Sequence, residues 1–303
     1  LCGREGYPLD VTPFVDRMAA EGVWFDRAYT PAPISGPARV AFLTGRFPKA
    51  TRVKSNHNIE DAVYKDDLFA FARRNGYRTA LVGKNHAHLK PQDADYWRPY
   101  NHFAQQGKVD EKARAFNQYL GSTDMYASYD PAPFGAEMQH PHRMVDDALQ
   151  WIGNDDDKPF MMWLSFPEPH NPYQVSEPYY SMFPPEELPP MRTGLKDLAV
   201  KGPEYELLHE MMSLGHAGYY EHLDRLRSNY LGMIRLIDDQ IARLVEQLRK
   251  DGTYENTVFV VTADHGDFAG EYGLMKKGVG LSDILARVPL VWFGGPVPAQ
   301  GLS

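Results

Sequence analysis

Apolar and polar positions divide the chain into short hydrophobic runs separated by amphipathic stretches. Thr12-Pro13 offers an N-cap and a first-turn proline for a helix ending near Glu21, with Gly22 as its stop. Val23 to Tyr29 reads as a strand, Thr30 to Pro33 as a turn, and Gly36 to Thr44 as a short helix closed by Gly45. A helix over Asp66 to Arg74 stops at Gly76, and a strand follows over Arg78 to Val82. His142 to Ile152 reads as helical. Phe160 to Phe166 reads as a fully buried strand, ahead of a proline-rich loop from Pro167 to Pro190. The clearest periodicity lies between Glu221 and Lys250. There Leu226, Tyr230, Met233, Ile237, Ile241, Leu244 and Leu248 recur at steps of three and four, forming one apolar stripe that Gly252 ends. Thr257 to Ala263 reads as a β-branched central strand and Val288 to Phe293 as another. Residues 91–140 are polar, aromatic and proline-containing without clear period, and 171–215 are similar; both read as loop excursions over the active-site face. Strands alternating with helices predict an α/β fold with a largely parallel sheet.

Composition narrows the function classes. A chain of 303 residues with 43% hydrophobic and 24% charged residues has an ordinary globular make-up, which excludes disorder and collagen-like architecture. No apolar run approaches the ~18 residues of a membrane span. Against 32 Lys+Arg stand 40 Asp+Glu, a net charge of −8, which argues against nucleic acid as a primary ligand. An anionic substrate would have to be met by a local cluster of cations. Cys2 is alone, which excludes an intrachain disulfide and a cysteine-based zinc site. The 24 Pro, 18 Tyr and 11 His suggest long ordered loops and a polar-aromatic pocket. The start at Leu1, and the stop at Ser303 just after an apolar run and a loop, read as the middle of a longer polypeptide.

In a sheet of this kind ligands bind beyond the carboxyl ends of the strands, and four polar clusters fall there. Ser35-Gly36-Pro37-Ala38-Arg39 places a serine at a helix start, where free N–H groups favour an anion, with Arg39 one turn on. The same pentapeptide also reads as a plain N-cap with a surface arginine. In Gly83-Lys84-Asn85-His86-Ala87-His88, an extended backbone would put Lys84, His86 and His88 on one side; a solvated charged loop is the alternative. His170, in Pro169-His170-Asn171-Pro172, is either a fixed general acid or a histidine packed in a turn. Asp264-His265-Gly266-Asp267 follows the most hydrophobic strand and offers a carboxylate and an imidazole, a common metal-binding pair.

Taken in order, these motifs resemble the sulfatases of the alkaline-phosphatase-like superfamily. The matching segments are TPFVDRMAAEGVWFDRAY (Thr12 to Tyr29), SGPARVAFLTGR (Ser35 to Arg46), GYRTALVGKNH (Gly76 to His86), PHNPY (Pro169 to Tyr173) and TADHGDFAGEYGL (Thr262 to Leu274). The resemblance implies a three-layer α/β sandwich with a large, mostly parallel mixed sheet between helices. On this reading residues 1–303 are an incomplete N-terminal catalytic domain, lacking its first strand and a smaller C-terminal subdomain. It also implies roles. Ser35 matches the position converted to formylglycine, whose hydrated aldehyde attacks sulfur. Arg39 would hold that nucleophile, Lys84 and Lys277 the sulfate oxygens, His86 would assist at the diol, and His170 would serve the leaving alcohol. Asp264 and His265 match metal ligands, usually for Ca²⁺, with Mg²⁺ or Mn²⁺ as alternatives. Asn56, His88 and Lys276 are further substrate-binding candidates.

Three departures from the family pattern are visible. No Asp-Asp pair precedes Leu1-Cys2-Gly3 to supply two more metal ligands. His265 stands where many members have Asn. The nucleophile position is Ser rather than Cys, which implies a Ser-type formylglycine-generating maturase. The expected function is hydrolysis of a carbohydrate sulfate ester by a bacterial enzyme that is periplasmic or extracellular, as polysaccharide-degrading relatives mostly are. The alternatives are a phosphonate monoester or phosphodiester hydrolase of the same superfamily, and a non-catalytic carbohydrate-binding relative or an inactive truncated form.

Overall fold

The computed structural model describes residues 2–101, 109–154, 158–278, 280–299 and 301–302. Its helices are α1 (Pro13–Glu21), α2 (Ser35–Thr44), α3 (Pro48–Thr51), α4 (Leu68–Arg74), α5 (Glu111–Ser122), α6 (His140–Ile152), α7 (Leu198–Lys201), α8 (Pro203–Gly215), α9 (Leu223–Lys250) and α10 (Asp283–Ala286). The strands are β1 (Val23–Trp24), β2 (Arg78–Gly83), β3 (Tyr96–Pro99), β4 (Phe160–Ser165), β5 (Phe259–Thr262), β6 (Leu290–Phe293) and β7 (Gly301–Leu302).

The α/β layering expected from the sequence is present, and its strands pair as two sheets among the described residues. One is wholly parallel, in the order β3-β2-β4; the other is mixed, in the order β5-β6-β1-β7, with β6 antiparallel to both β5 and β1. Alternation along β2 and β4 builds the layers. Leu81, Met161 and Trp163 pack on one face with Val40 and Leu43 of α2 and Phe69 of α4. Val82, Met162 and Leu164 pack on the other with Met144 of α6. The apolar stripe of α9 lies behind α6 and α1. Val245 joins Phe14, Met18, Val291 and Phe293, while Leu244 and Leu248 join Val145.

Several local expectations change. The strand foreseen over Val23–Tyr29 shrinks to Val23–Trp24, with Tyr29 making one isolated bridge to Arg287. Phe160–Leu164 are half-buried rather than fully buried, because β4 pairs only with β2 among the described residues. The β5 strand is likewise an edge rather than a centre, and Val260 is 43% exposed. The stretch 91–140 contains β3, which extends the parallel sheet, and α5, whose N-cap Asp110 accepts from Ala113 N at 2.7 Å. Part of that stretch, 102–108, lies outside the described residues. Residues 171–215 carry α7 and α8. The long helix buries more than one stripe: Asn229 and Asp238 are also enclosed. Asn229 donates to Ser128 O and Tyr173 O, and Asp238 accepts from Phe14 N and Val15 N at the start of α1.

Candidate active site

The carboxyl ends of β2, β4 and β5 meet the start of α2, and Arg39 ties them together. Its Nε donates to Asp264 Oδ2 at 2.8 Å, and its Nη1 donates to Lys84 O at 2.8 Å and Ser165 Oγ at 2.6 Å. The guanidinium also lies 5.4 Å from the ring centroid of Trp163 on β4. A buried arginine with this set of acceptors is fixed in place. Ser165, which in the sequence only interrupts an apolar run, is one of those acceptors.

Ser35 is the first residue of α2 and is 1% exposed. Its Oγ lies 3.0 Å from His265 Nε2 and 3.5 Å from Lys84 Nζ. His265 Nδ1 is 2.8 Å from the carbonyl of Gly266, which only accepts, so Nδ1 carries the proton of the neutral ring. The lone pair of Nε2 then faces Ser35, whose hydroxyl donates to it. Asn56 lies beside this helix start and accepts from Gly36 N at 2.9 Å. Lys84 reaches Ser35 because Gly83 turns the chain at the end of β2. Gly83 has φ +116, and a Cβ there would stand 2.1 Å from Ser165 O.

The electrostatics follow from enclosure and crowding of like charge. Burial and the neighbouring Arg39 guanidinium push the Lys84 ammonium down to about 7. Burial, and then Lys84, push His86 to about 4. Burial, Lys277 and Lys84 push His170 to about 2, so its ring is neutral, with Nδ1 donating to Asn171 O at 2.8 Å. His265 falls to about 4, chiefly through burial. Lys277 is lowered by burial. Asp264 is held well below the usual carboxylate range: its burial opposes ionisation, but Arg39, His265 and Lys84 outweigh it. The site is a cationic pocket in a chain of net charge −8.

Ser35, Arg39, Lys84, Asp264 and His265 are linked by direct contacts, and Asn56 joins through Gly36. His86, His170 and Lys277 lie within electrostatic reach of them. Two candidates lie elsewhere. His86 has φ +43, which breaks the extended alternation expected over 84–88. His88 is therefore not turned to the pocket with Lys84; it is buried against Asp67 Oδ2, the N-cap of α4, at 3.1 Å, and packs on Tyr64. Lys276 contacts His216 and Tyr126 rather than Ser35.

Sequence reasoning also missed the support of the 264–277 loop. Asp267 Oδ2 accepts from the Tyr173 hydroxyl at 2.8 Å, and that oxygen accepts in turn from Lys276 N at 2.9 Å. The near repeat of Asp at 264 and 267 was the available signal.

Among the described residues no three His, Cys, Asp or Glu side chains converge as a metal-holding group. Asp264 and His265 offer an Oδ1 and an Nε2 that stand 3.7 Å apart, while Asp264 Oδ2 is taken by Arg39. Calcium takes about 6–8 oxygen ligands, so these two side chains do not by themselves fit that ion. No helix among the described residues is long and apolar enough to cross a membrane.

The chain matches the family profile described as Sulfatase over residues 2–301. It is 29% identical over 314 residues to an arylsulfatase of Clostridium perfringens, covering 95% of this chain and 64% of that protein. To an N-acetylglucosamine-6-O-sulfatase of Bacteroides thetaiotaomicron it is 24% identical over 353 residues, covering 94% and 59%. The solved phosphonate monoester hydrolase of Agrobacterium radiobacter shares its fold, with a TM-score of 0.79, 23% identity, and coverage of 96% of this chain and 64% of that one. The chain spans 58% to 64% of the length of the first curated relatives it matches. With the profile matched over almost all of its residues, the chain belongs to the sulfatase family.

Proposed function

We propose that this chain carries the catalytic face of a sulfuric ester hydrolase acting on a carbohydrate sulfate, with residue 35 as the nucleophile. The observation that carries the reading is the placement of Ser35 Oγ between His265 Nε2 at 3.0 Å and Lys84 Nζ at 3.5 Å, inside a pocket braced by Arg39. Converted to formylglycine by a Ser-type maturase, residue 35 would supply a hydrated aldehyde, one hydroxyl to attack sulfur and the other to release sulfate. Lys84 and Lys277 supply positive charge where the sulfuryl oxygens gather negative charge. Arg39 spends its donors on Asp264, Lys84 O and Ser165, so its part is to hold the platform under residue 35. His86, whose ring burial and Lys84 keep neutral, assists at the diol by taking the proton of the attacking hydroxyl. His170 serves the leaving oxygen. Burial first, and then Lys277 and Lys84, keep the ring neutral, and the negative charge of a bound ester offsets the cations' share and favours its protonation. Asp264 and His265 would contribute two donors to a divalent ion, which needs further oxygens besides them.

A singly charged ester suits this set of organic cations, which favours sulfate over phosphate esters. The carbohydrate substrate is supported by the sugar sulfatase among the relatives. An exported location, periplasmic or extracellular, goes with that substrate. The edge positions of β4 and β5 support a further strand joining the two sheets.

Two measurements test the reading. Mass spectrometry of the residue-35 peptide after co-expression with a Ser-type maturase should show a product about two mass units below serine. The matured chain should then turn over an aryl sulfate faster than the matching aryl phosphate or phosphonate. A strong preference for the phosphorus esters would replace the sulfatase assignment with a phosphonate or phosphodiester hydrolase.

A further inference from the structure

Beside the pocket, a second cationic feature is left over by the mechanism. Lys276 Nζ lies 3.1 Å from His216 Nε2 and 4.7 Å from the ring centroid of Tyr126, and the Tyr126 and His216 rings stack at 3.6 Å with 8° between their planes. These contacts are with uncharged groups. Asp267 acts on Lys276, and Asp124 on His216, only through space; neither is in salt-bridge contact with the ammonium among the described residues. An enclosed ammonium held by an imidazole lone pair and an aromatic face keeps its charge available to a ligand.

The feature is rigid and fixed relative to the pocket. Lys276 has φ +65, a strained value for a side-chain-bearing residue, and is held there by Lys276 N donating to Tyr173 and Phe268 N donating to Lys276 O. Tyr173 N donates to Tyr126 O at 2.7 Å, and Asn171 Nδ2 donates to Met125 O at 2.8 Å. The segment carrying His170 is thus stitched to the one carrying Tyr126, and the next residue after Lys276 is Lys277.

We propose that Lys276, His216 and Tyr126 form a second anion-binding subsite, which receives a carboxylate or a further sulfate on the saccharide whose ester is cleaved at residue 35. This deepens the sulfatase reading and rests on it. The ammonium and imidazole meet the anion, and the buried Tyr126 ring, stacked on His216, holds the imidazole in place behind them. The subsite selects polyanionic saccharides over singly sulfated neutral ones.

The test compares three substrates with the matured chain: a sulfated disaccharide bearing a uronate carboxylate, its methyl ester, and the analogue with a second sulfate in place of the carboxylate. The unmodified sequence should favour at least one dianionic substrate over the ester about tenfold in kcat/KM. Lys276→Met should bring that ratio close to one through KM, with Lys276→Arg restoring most of it. The carboxylate and sulfate arms identify which anion is read. An unchanged ratio in Lys276→Met, or an equal loss on all three substrates, would overturn the subsite. Should no sulfate ester be hydrolysed, the sulfatase reading fails separately. Calorimetric titration with the sulfate-free uronate disaccharide then decides the subsite: binding that Lys276→Met abolishes sustains it, and binding that the variant leaves intact sinks it.

Discussion

Asp264 and Asp267 stand three residues apart on the loop after β5, both largely withdrawn from water, yet their surroundings make them opposites. Asp264 faces α2 and meets Arg39, and the guanidinium with His265 and Lys84 keeps it ionised. Asp267 faces Tyr173 and the backbone of Ala269, and its burial outweighs these neutral donors and the Lys277 charge and pushes it up to about 6. One carboxylate is part of a charge lattice that organises the pocket. The other is a latch whose ionisation is costly, and whose value lies in holding Tyr173 and, through it, Lys276. At Asp267 the neutral donors lower the carboxyl without outweighing its loss of water, whereas at Asp264 the cations do outweigh it.

The largest effect should come from breaking the Arg39–Asp264 pair. Arg39→Met takes from the buried Asp264 carboxylate its hydrogen-bonded cation and frees three acceptors, so unfolding in urea should show a loss of about 3–5 kcal/mol. Aryl sulfate turnover should fall by at least about a hundredfold, because the ends of β2 and β4 are no longer held against α2. The double variant Arg39→Met/Asp264→Asn should recover much of the stability and none of the turnover. A loss below about 1 kcal/mol in the single variant would mean that the pair is screened like a surface ion pair.

The next effect is on pH dependence. Lys84 is charged below about 7 in the open pocket and neutral above it. Because kcat/KM reports the free enzyme, it should fall roughly tenfold per pH unit on the alkaline side of that value. Lys84→Arg should carry less activity and lose that limb, since arginine stays charged. An alkaline limb that persists in the arginine variant would assign the titration to another group.

How far this contrast was readable in the sequence depends on the range of each contact. Ser35, Lys84, His170 and Asp264 were legible because each follows a short apolar run, where an α/β sheet exposes its carboxyl ends. The partner of Arg39 was not, since Asp264 lies 225 positions away and no local period links them. His88 was misplaced for a local reason: alternation along 84–88 assumes extended backbone, and His86 leaves it with φ +43. The β3 strand, four residues with no alternation of burial, had no pattern to detect. Ser165 looked like a flaw in a strand because its use appears only when the arginine arrives.

A smaller effect separates the latch from the lattice. Relative to an ordinary aspartate, the folded-state value of Asp267 is raised. Its contribution to stability is thus complete below about pH 4 and is lost as pH rises through about 6. The shift of roughly two units corresponds to at most about 3 kcal/mol. Asp267→Asn should therefore flatten the fall in stability between pH 5 and pH 7.5, measured by thermal unfolding. It should also weaken turnover several-fold by loosening Tyr173 and Lys276. A variant with unchanged pH dependence would show that Asp267 ionises as an exposed aspartate does.

Asp238 supplies the control for that comparison, because it repeats the chemistry of Asp267 far from the pocket. It is 1% exposed, accepts from Phe14 N at 2.8 Å and Val15 N at 2.9 Å, and is pushed up to about 6, chiefly by burial. Two N–H groups at the start of α1 favour its charge but do not outweigh the loss of water. Asp238→Asn keeps one acceptor and leaves one amide without a partner. At pH 5, where the native carboxyl is mostly protonated, the change should cost about 1–2 kcal/mol, the usual cost of a lost helix cap. At pH 7.5 the cost should shrink toward zero, because the variant no longer buries a charge. Turnover should follow only the folded fraction, whereas Asp267→Asn should lower it in the fully folded protein as well. Equal losses of turnover in the two variants, after correction for folding, would erase the distinction between a latch at the pocket and a cap on a distant helix.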